Sequence, residues 1–203
     1  MSNKVSPQHK AKIVIISGPS GCGKTTLHKA LLDEPLLKNK LVKSISATTR
    51  KKRPGERQGK DYLFLSAKIF EHRIKKGYFL EWEMVFDHYY GTPKKQALIL
   101  LKKGINVLLC IDVKGAKNVA KEFPQALKIF IKAPSLKVLE ARLKARGSEN
   151  NESLSLRLKI ARRELKEAKN YDHVIINKDL KKALSQLQQI IRAELPSFLG
   201  NLF

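Results

Sequence analysis

Cysteine, aromatics and acidic residues are all scarce in this chain of 203 residues. Its two cysteines, Cys22 and Cys110, are too few for a disulfide framework, and no CxxC pair or His/Cys cluster offers a structural metal site. The first apolar run, Ile13-Val14-Ile15-Ile16, is too short for the hydrophobic segment of a signal peptide, and no apolar stretch approaches the ~18 residues that span a bilayer. These absences fit a reducing compartment, the cytoplasm, and no membrane partner. Aromatics make up 7%, and no aromatic-interleaved basic motif of the RNA-binding kind occurs, which argues against a nucleic-acid partner. There is no internal repeat and no low-complexity segment, and nothing specifies an oligomeric state. What the chain has is 42% apolar residues, enough for a core, and 41 Lys+Arg against 18 Asp+Glu, a net charge of +23. Such an excess points toward anionic ligands, phosphates above all.

Residues 1–12 are polar, basic and aperiodic and read as a short tail; 13–203 read as one domain. Run 13–17 (IVIIS) is β-branched and apolar on both faces, as in a buried parallel strand. Further strands are expected at 42–46, 62–65, 78–82, 105–111, 127–131 and 173–176. Helices are expected at 24–33, then 67–76 after the cap Ser66, 93–103 after the cap Thr92, 136–146 after the cap Ser135, 152–169 and 178–194. Strand–helix alternation predicts an α/β fold, a parallel sheet covered by helices in three layers. Segment 42–92 breaks the alternation and reads as an inserted lobe carrying a mixed sheet. Residues 142–160 read as a basic, helical lid, with 13–41, 93–141 and 161–203 forming the core.

Gly18-Pro19-Ser20-Gly21-Cys22-Gly23-Lys24-Thr25 fits G-x-x-x-x-G-K-[ST] between a predicted strand and helix, with Thr26 following. Glycines there let successive backbone N–H groups curl around a phosphate, and the helix start adds its positive end. Lys24 is then placed for the β/γ-phosphates and the Thr25 hydroxyl for Mg²⁺. A chance match in this length is on the order of one in 150. ATP–Mg²⁺ binding is the expectation. Cys22 occupies a free position of the motif. His9, His28, His72, His88 and His173 show no catalytic spacing.

Downstream come Ser46-Ala47-Thr48-Thr49-Arg50, Arg53-Pro54-Gly55-Glu56, Gly59-Lys60-Asp61-Tyr62, Glu81-Trp82, Tyr89-Tyr90-Gly91-Thr92, Ile111-Asp112-Val113-Lys114-Gly115 and Arg142 through Arg146-Gly147. In that order, from about residue 13 to the last helix, the chain resembles the guanylate kinases, which phosphorylate GMP with ATP. The resemblance implies that Arg50 and Arg53, with Tyr62 and Tyr90, hold the acceptor phosphate, for which guanidinium forks are suited. It implies that Glu81 accepts from guanine N1–H and the 2-amino group, a pairing adenine cannot offer, with Ser46 and Thr92 as further base contacts. Asp112 would organise Mg²⁺ through water beside the acceptor. Arg142, Arg146 and Arg157 match the lid arginines that close with Lys24 and Arg50 over the transferring group, and Asn177 matches a residue against the adenine. The chain departs from the family at Cys110, where an aspartate commonly also contacts the guanine amino group. A thiol is a poor acceptor, so base selectivity leans on Glu81 and Ser46. The expected substrates are GMP and dGMP. Two other readings compete: a guanylate-kinase-like module that binds phosphopeptides, disfavoured by the intact Lys24 and Thr25, and a sister kinase acting on a ribosyl bisphosphate.

Overall fold

The IVIIS run does what its two-sided apolarity requires. As β1 (Ile13–Ser17) it is buried at every position and lies at the centre of a five-stranded parallel sheet. The computed structural model describes residues 11–85, 87–145 and 151–195. After β1 the chain runs through α1 (Lys24–Leu32), β2 (Leu41–Lys43), β3 (Ala47–Thr48), β4 (Leu63–Phe64), α2 (Ala67–Lys75), β5 (Phe79–Val85), β6 (His88–Pro93) and α3 (Lys94–Lys102). It continues through β7 (Asn106–Cys110), α4 (Val113–Glu122), β8 (Leu127–Lys132), α5 (Leu136–Lys144), α6 (Asn151–Lys166), β9 (His173–Ile176) and α7 (Leu180–Glu194). The parallel sheet has the order β2-β7-β1-β8-β9, and a second, mixed sheet has the order β4-β3-β6-β5. Among the described residues, no helix is long and apolar enough to cross a membrane.

Side chains alternate across a strand, so β1 feeds two cores. Val14 and Ile16 pack with Leu27, Leu31, Leu139, Leu143, Leu187 and Ile191 of α1, α5 and α7. Ile13 and Ile15 pack on the other face with Ala97, Ala116 and Val119 of α3 and α4. This is the three-layer α/β architecture the alternation predicts. The mixed sheet has a small core of its own, where Phe70 of α2 stacks on Phe79 at 4.3 Å and on Tyr89 at 5.1 Å between ring centroids.

Ser66 and Ser135 cap α2 and α5 as expected, accepting from the N–H groups of Ile69 and Val138. Three local expectations need correction. The strand expected at 42–46 ends early: β2 stops at Lys43, and the next strand, β3, begins at Ala47 in the other sheet. Thr92 is no helix cap: it lies in β6, α3 starts at Lys94 with Pro93 at its N-cap, and the Thr92 hydroxyl is committed elsewhere. Helix α4 was absent from the sequence expectation, though Asp112 caps it by accepting from Gly115 N–H at 2.7 Å.

Candidate active site

β1 and β7 are parallel neighbours with Ile16 opposite Cys110, so the loop after β1 and the residues after β7 emerge at one edge of the sheet. Ligands in open α/β sheets bind at the carboxyl ends of the strands. Here that edge opens into a cleft of about 430 Å³ that also reaches the mixed sheet.

Gly18, Ser20, Gly21, Gly23, Lys24 and Thr25 line one end. Gly23 is the N-cap of α1 with φ 97°, and a Cβ there would collide with the Asn177 amide. Both the left-handed backbone and the close approach demand glycine. Asn177 is 5% exposed and donates from Nδ2 to the Cys22 carbonyl at 2.9 Å, while its own carbonyl accepts from Arg142 Nη2 at 3.0 Å. Asn177 thus holds the loop directly, and Arg142 reaches Asn177 from α5. Cys22 is fully buried. Lys24 Nζ lies on the Gly18 and Pro19 carbonyls at 2.5 and 2.9 Å, held inside the loop it serves. Thr25 and Thr26 are exposed at the start of α1, whose first turn has no acidic residue to neutralise its positive end.

The opposite wall comes from the mixed sheet and its loop. Arg50 is clamped by Glu56, donating from Nη2 to both carboxylate oxygens at 2.8 and 3.0 Å, and Glu56 also accepts from Arg53 N–H at 2.9 Å. Burial opposes both charges, but the pair outweighs it, raising Arg50 and lowering Glu56 from their ordinary pKa values. The Arg50 guanidinium lies 5.6 Å from the Tyr62 ring centroid, and Tyr62 meets Tyr90 edge-on at 6.2 Å. Burial pushes Tyr62 up to about 12, so its hydroxyl keeps its proton to donate. Arg50, Arg53, Tyr62 and Tyr90 all face the cleft, as does Ser46. The sequence alone gives Glu56 no role; its spacing three residues after Arg53 is the only signal of one.

Glu81 is buried at 7% exposure yet faces the cleft. Its Oε1 accepts from the hydroxyl of the buried Thr92 at 2.6 Å, which fixes that oxygen. Burial is the main reason its carboxyl rises to about 7; the nearby charges of Asp112 and Glu83 add to this, and the Thr92 bond opposes it. Cys110 lines the same region, its thiol pushed up by burial against the pull of Lys24 and Lys43, and so stays protonated.

Helix α6 supplies the roof. Arg157, Ile160 and Glu164 share one helical face and line the cleft; Arg146 lies outside the described residues. Glu164 was not singled out in the sequence, where it is one of many charges on α6; only its two-turn spacing from Arg157 marks it. Burial raises it to about 7, with Lys24 pulling down and Asp112 pushing up, so it faces the phosphate-loop end. His88 lines the cleft as well.

Among the described residues no group of three or more His, Cys, Asp or Glu side chains gathers around a metal position. The exposed Thr25 hydroxyl and the Asp112 carboxylate, both on the cleft wall, are a sparse oxygen set. Sparse oxygen donors fit Mg²⁺, which keeps most of its waters and takes phosphate oxygens as partners.

The sequence matches the guanylate kinase family model over residues 10–194. It is 44% identical over 187 residues to the guanylate kinase of Rickettsia felis, covering 92% of this chain and 96% of that one. It is also 44% identical to that of Caldanaerobacter subterraneus subsp. tengcongensis over 190 residues, 94% of this chain and 91% of the relative. The fold superposes on the crystal structure of guanylate kinase from Anaplasma phagocytophilum with a TM-score of 0.73 at 31% identity, over 92% of this chain and 87% of that one. A cleft with a phosphate loop at one end and a buried carboxylate at the other, on a sequence matched almost end to end, places the chain in the guanylate kinase family.

Proposed function

We infer that the protein transfers the γ-phosphoryl group of ATP to GMP, and we assign its residues as follows. ATP lies on the loop Gly18–Thr25, its phosphates received by backbone N–H groups and Lys24. The GMP phosphate is held by Arg50, Arg53, Tyr62 and Tyr90, and its base is read by Glu81 and Ser46; dGMP is accepted through the same contacts. The segment 42–92 is the GMP-binding lobe and 142–160 the lid, from which Arg157 reaches the cleft. One observation carries this reading: a single cleft joins Lys24 to the Arg50/Arg53 pair and the buried Glu81.

Phosphoryl transfer asks the protein for in-line placement and charge neutralisation rather than covalent chemistry. Lys24, Arg50 and Arg157 surround the space between the two nucleotide ends and spread positive charge over the transferring group. Thr25 and Asp112 would hold Mg²⁺, which would supply further neutralisation of phosphate charge. Closure of lobe and lid excludes water that would otherwise hydrolyse ATP. Two free cysteines suit a reducing, cytoplasmic setting.

A coupled ADP-release assay offering GMP, dGMP, AMP, dTMP and ribose bisphosphate tests the assignment. Turnover with GMP and dGMP alone is the expected outcome, and Lys24→Ala should lower kcat by roughly 10³-fold or more while the protein stays folded. Near-equal rates with GMP and AMP would defeat the role given to Glu81. A folded protein inactive on all five that binds a phosphopeptide would favour the binding-module alternative.

A further inference from the structure

Gly115 sits in the first turn of α4 with no left-handed φ, so its backbone does not require glycine. Glycine inside a helix costs roughly 0.5–1 kcal/mol relative to alanine. The surroundings supply a reason for the residue. A Cβ at this position would come within 2.6 Å of Glu81 Oε2, 3.2 Å of Glu81 Cδ and 3.3 Å of Asp112 Oδ1. Contact at 2.6 Å is strongly repulsive, and Glu81 is poorly placed to retreat. It is buried, and its other oxygen is fixed by the Thr92 hydroxyl at 2.6 Å.

We propose that Gly115 is a positioning residue for base recognition: its missing side chain leaves the space in which the Glu81 carboxylate stands, with Thr92 setting one oxygen and the α4 backbone limiting the other. The proposal rests on the reading of Glu81 as the guanine acceptor. Alanine at 115 would displace the carboxylate by a sizeable fraction of an ångström, and a misplacement of ~1 Å can cost up to about 100-fold. Asp112 Oδ1, at 3.3 Å, would have to give by only a few tenths of an ångström against the much larger overlap at Glu81, so the phosphate-loop end should be affected far less than the base. The effect should therefore fall on the KM for GMP, because Glu81 holds the base in ground and transition states alike.

The test compares Gly115→Ala, Glu81→Ala, Glu81→Asp and the double variant Glu81→Asp with Gly115→Ala, measuring GMP and ATP KM, kcat and thermal midpoint. Gly115→Ala should raise the GMP KM about 10- to 100-fold, with ATP KM and kcat within about twofold, in a protein whose midpoint stays well above the assay temperature. Aspartate is one methylene shorter and leaves room for the methyl, so adding Gly115→Ala to Glu81→Asp should cost less than about threefold. A Gly115→Ala protein with wild-type GMP KM, beside a Glu81→Ala protein that has lost GMP use, overturns the positioning role and leaves the role of Glu81 standing. A folded Gly115→Ala protein impaired equally toward ATP and GMP also overturns it. Undiminished GMP use by Glu81→Ala overturns both.

Discussion

Guanine offers two N–H donors on one edge, and only an ionised Glu81 can accept from both. Burial holds its carboxyl up at about 7, so near neutrality the free protein contains both forms. GMP binds the ionised form, so its KM should fall as pH rises from 6 to 8 and then level off. The Thr92 hydrogen bond favours the carboxylate, and Thr92→Val should move that midpoint to higher pH. The GMP phosphate itself titrates near pH ~6, and Glu164 also titrates at about 7 but beside Lys24. Glu164→Gln should therefore keep the GMP profile and Glu81→Gln should lose it. The same group bears on stability with the opposite sign. Its folded pKa exceeds the ordinary 4.5, so a penalty appears as pH rises above about 4.5 and is complete above about 7, on the order of 3 kcal/mol. Glu81→Gln should gain stability over wild type across that window in urea melts. A GMP KM independent of pH in the wild type would refute the shifted carboxyl.

Elements differed in how openly the sequence declared them. β1, its loop and α1 were legible because a two-faced apolar run, a fixed glycine spacing and a helix start all agree. Helix α4 was hidden: Val113, Gly115 and Val119 lower its helix propensity, and its cap Asp112 was read for its chemistry. Thr92-Pro93 imitates a helix start, but a side chain in β6 reaches across to the partner residue in β5, and Thr92 is paired with Glu81. Asn177 is singled out in the sequence only by the family resemblance; its packing on Gly23 and its bond to the Cys22 carbonyl are visible only in three dimensions. The loop between β3 and β4 shows the same limit. Its many charges looked alike, yet Glu56 alone closes a two-pronged pair with Arg50, 11% and 19% exposed for the arginine and glutamate side chains. Glu56→Gln would leave Arg50 without its fixed orientation. Its expected effect is a rise of about tenfold in the GMP KM with ATP KM unchanged, since losing one charge-assisted pair costs roughly 1.5–3 kcal/mol. An unaltered GMP KM would show that the phosphate orients Arg50 unaided.

At the scale of the whole molecule, the +23 charge exceeds what the cleft uses. Around the acceptor end, Lys51, Lys52, Arg53, Arg57 and Lys60 are all exposed on the loop that carries Arg50. Exposed ammonium groups add little to a bound complex, but they shape the potential through which an anionic nucleotide approaches. The screening length falls from ~30 Å at 0.01 M salt to ~8 Å at 0.15 M, so this attraction belongs to dilute salt. The KM for GMP should accordingly rise about tenfold between those two conditions, with kcat within about twofold, because the groups at the transferring phosphate are enclosed and weakly screened. Replacing Lys51, Lys52, Arg57 and Lys60 together by glutamine should flatten that dependence while leaving the value at high salt nearly unchanged. Arg53 is excluded from the set because it faces the cleft itself. If the fourfold variant keeps the wild-type salt response, the field arises from the rest of the basic surface, and the loop serves the acceptor only through Arg50 and Arg53.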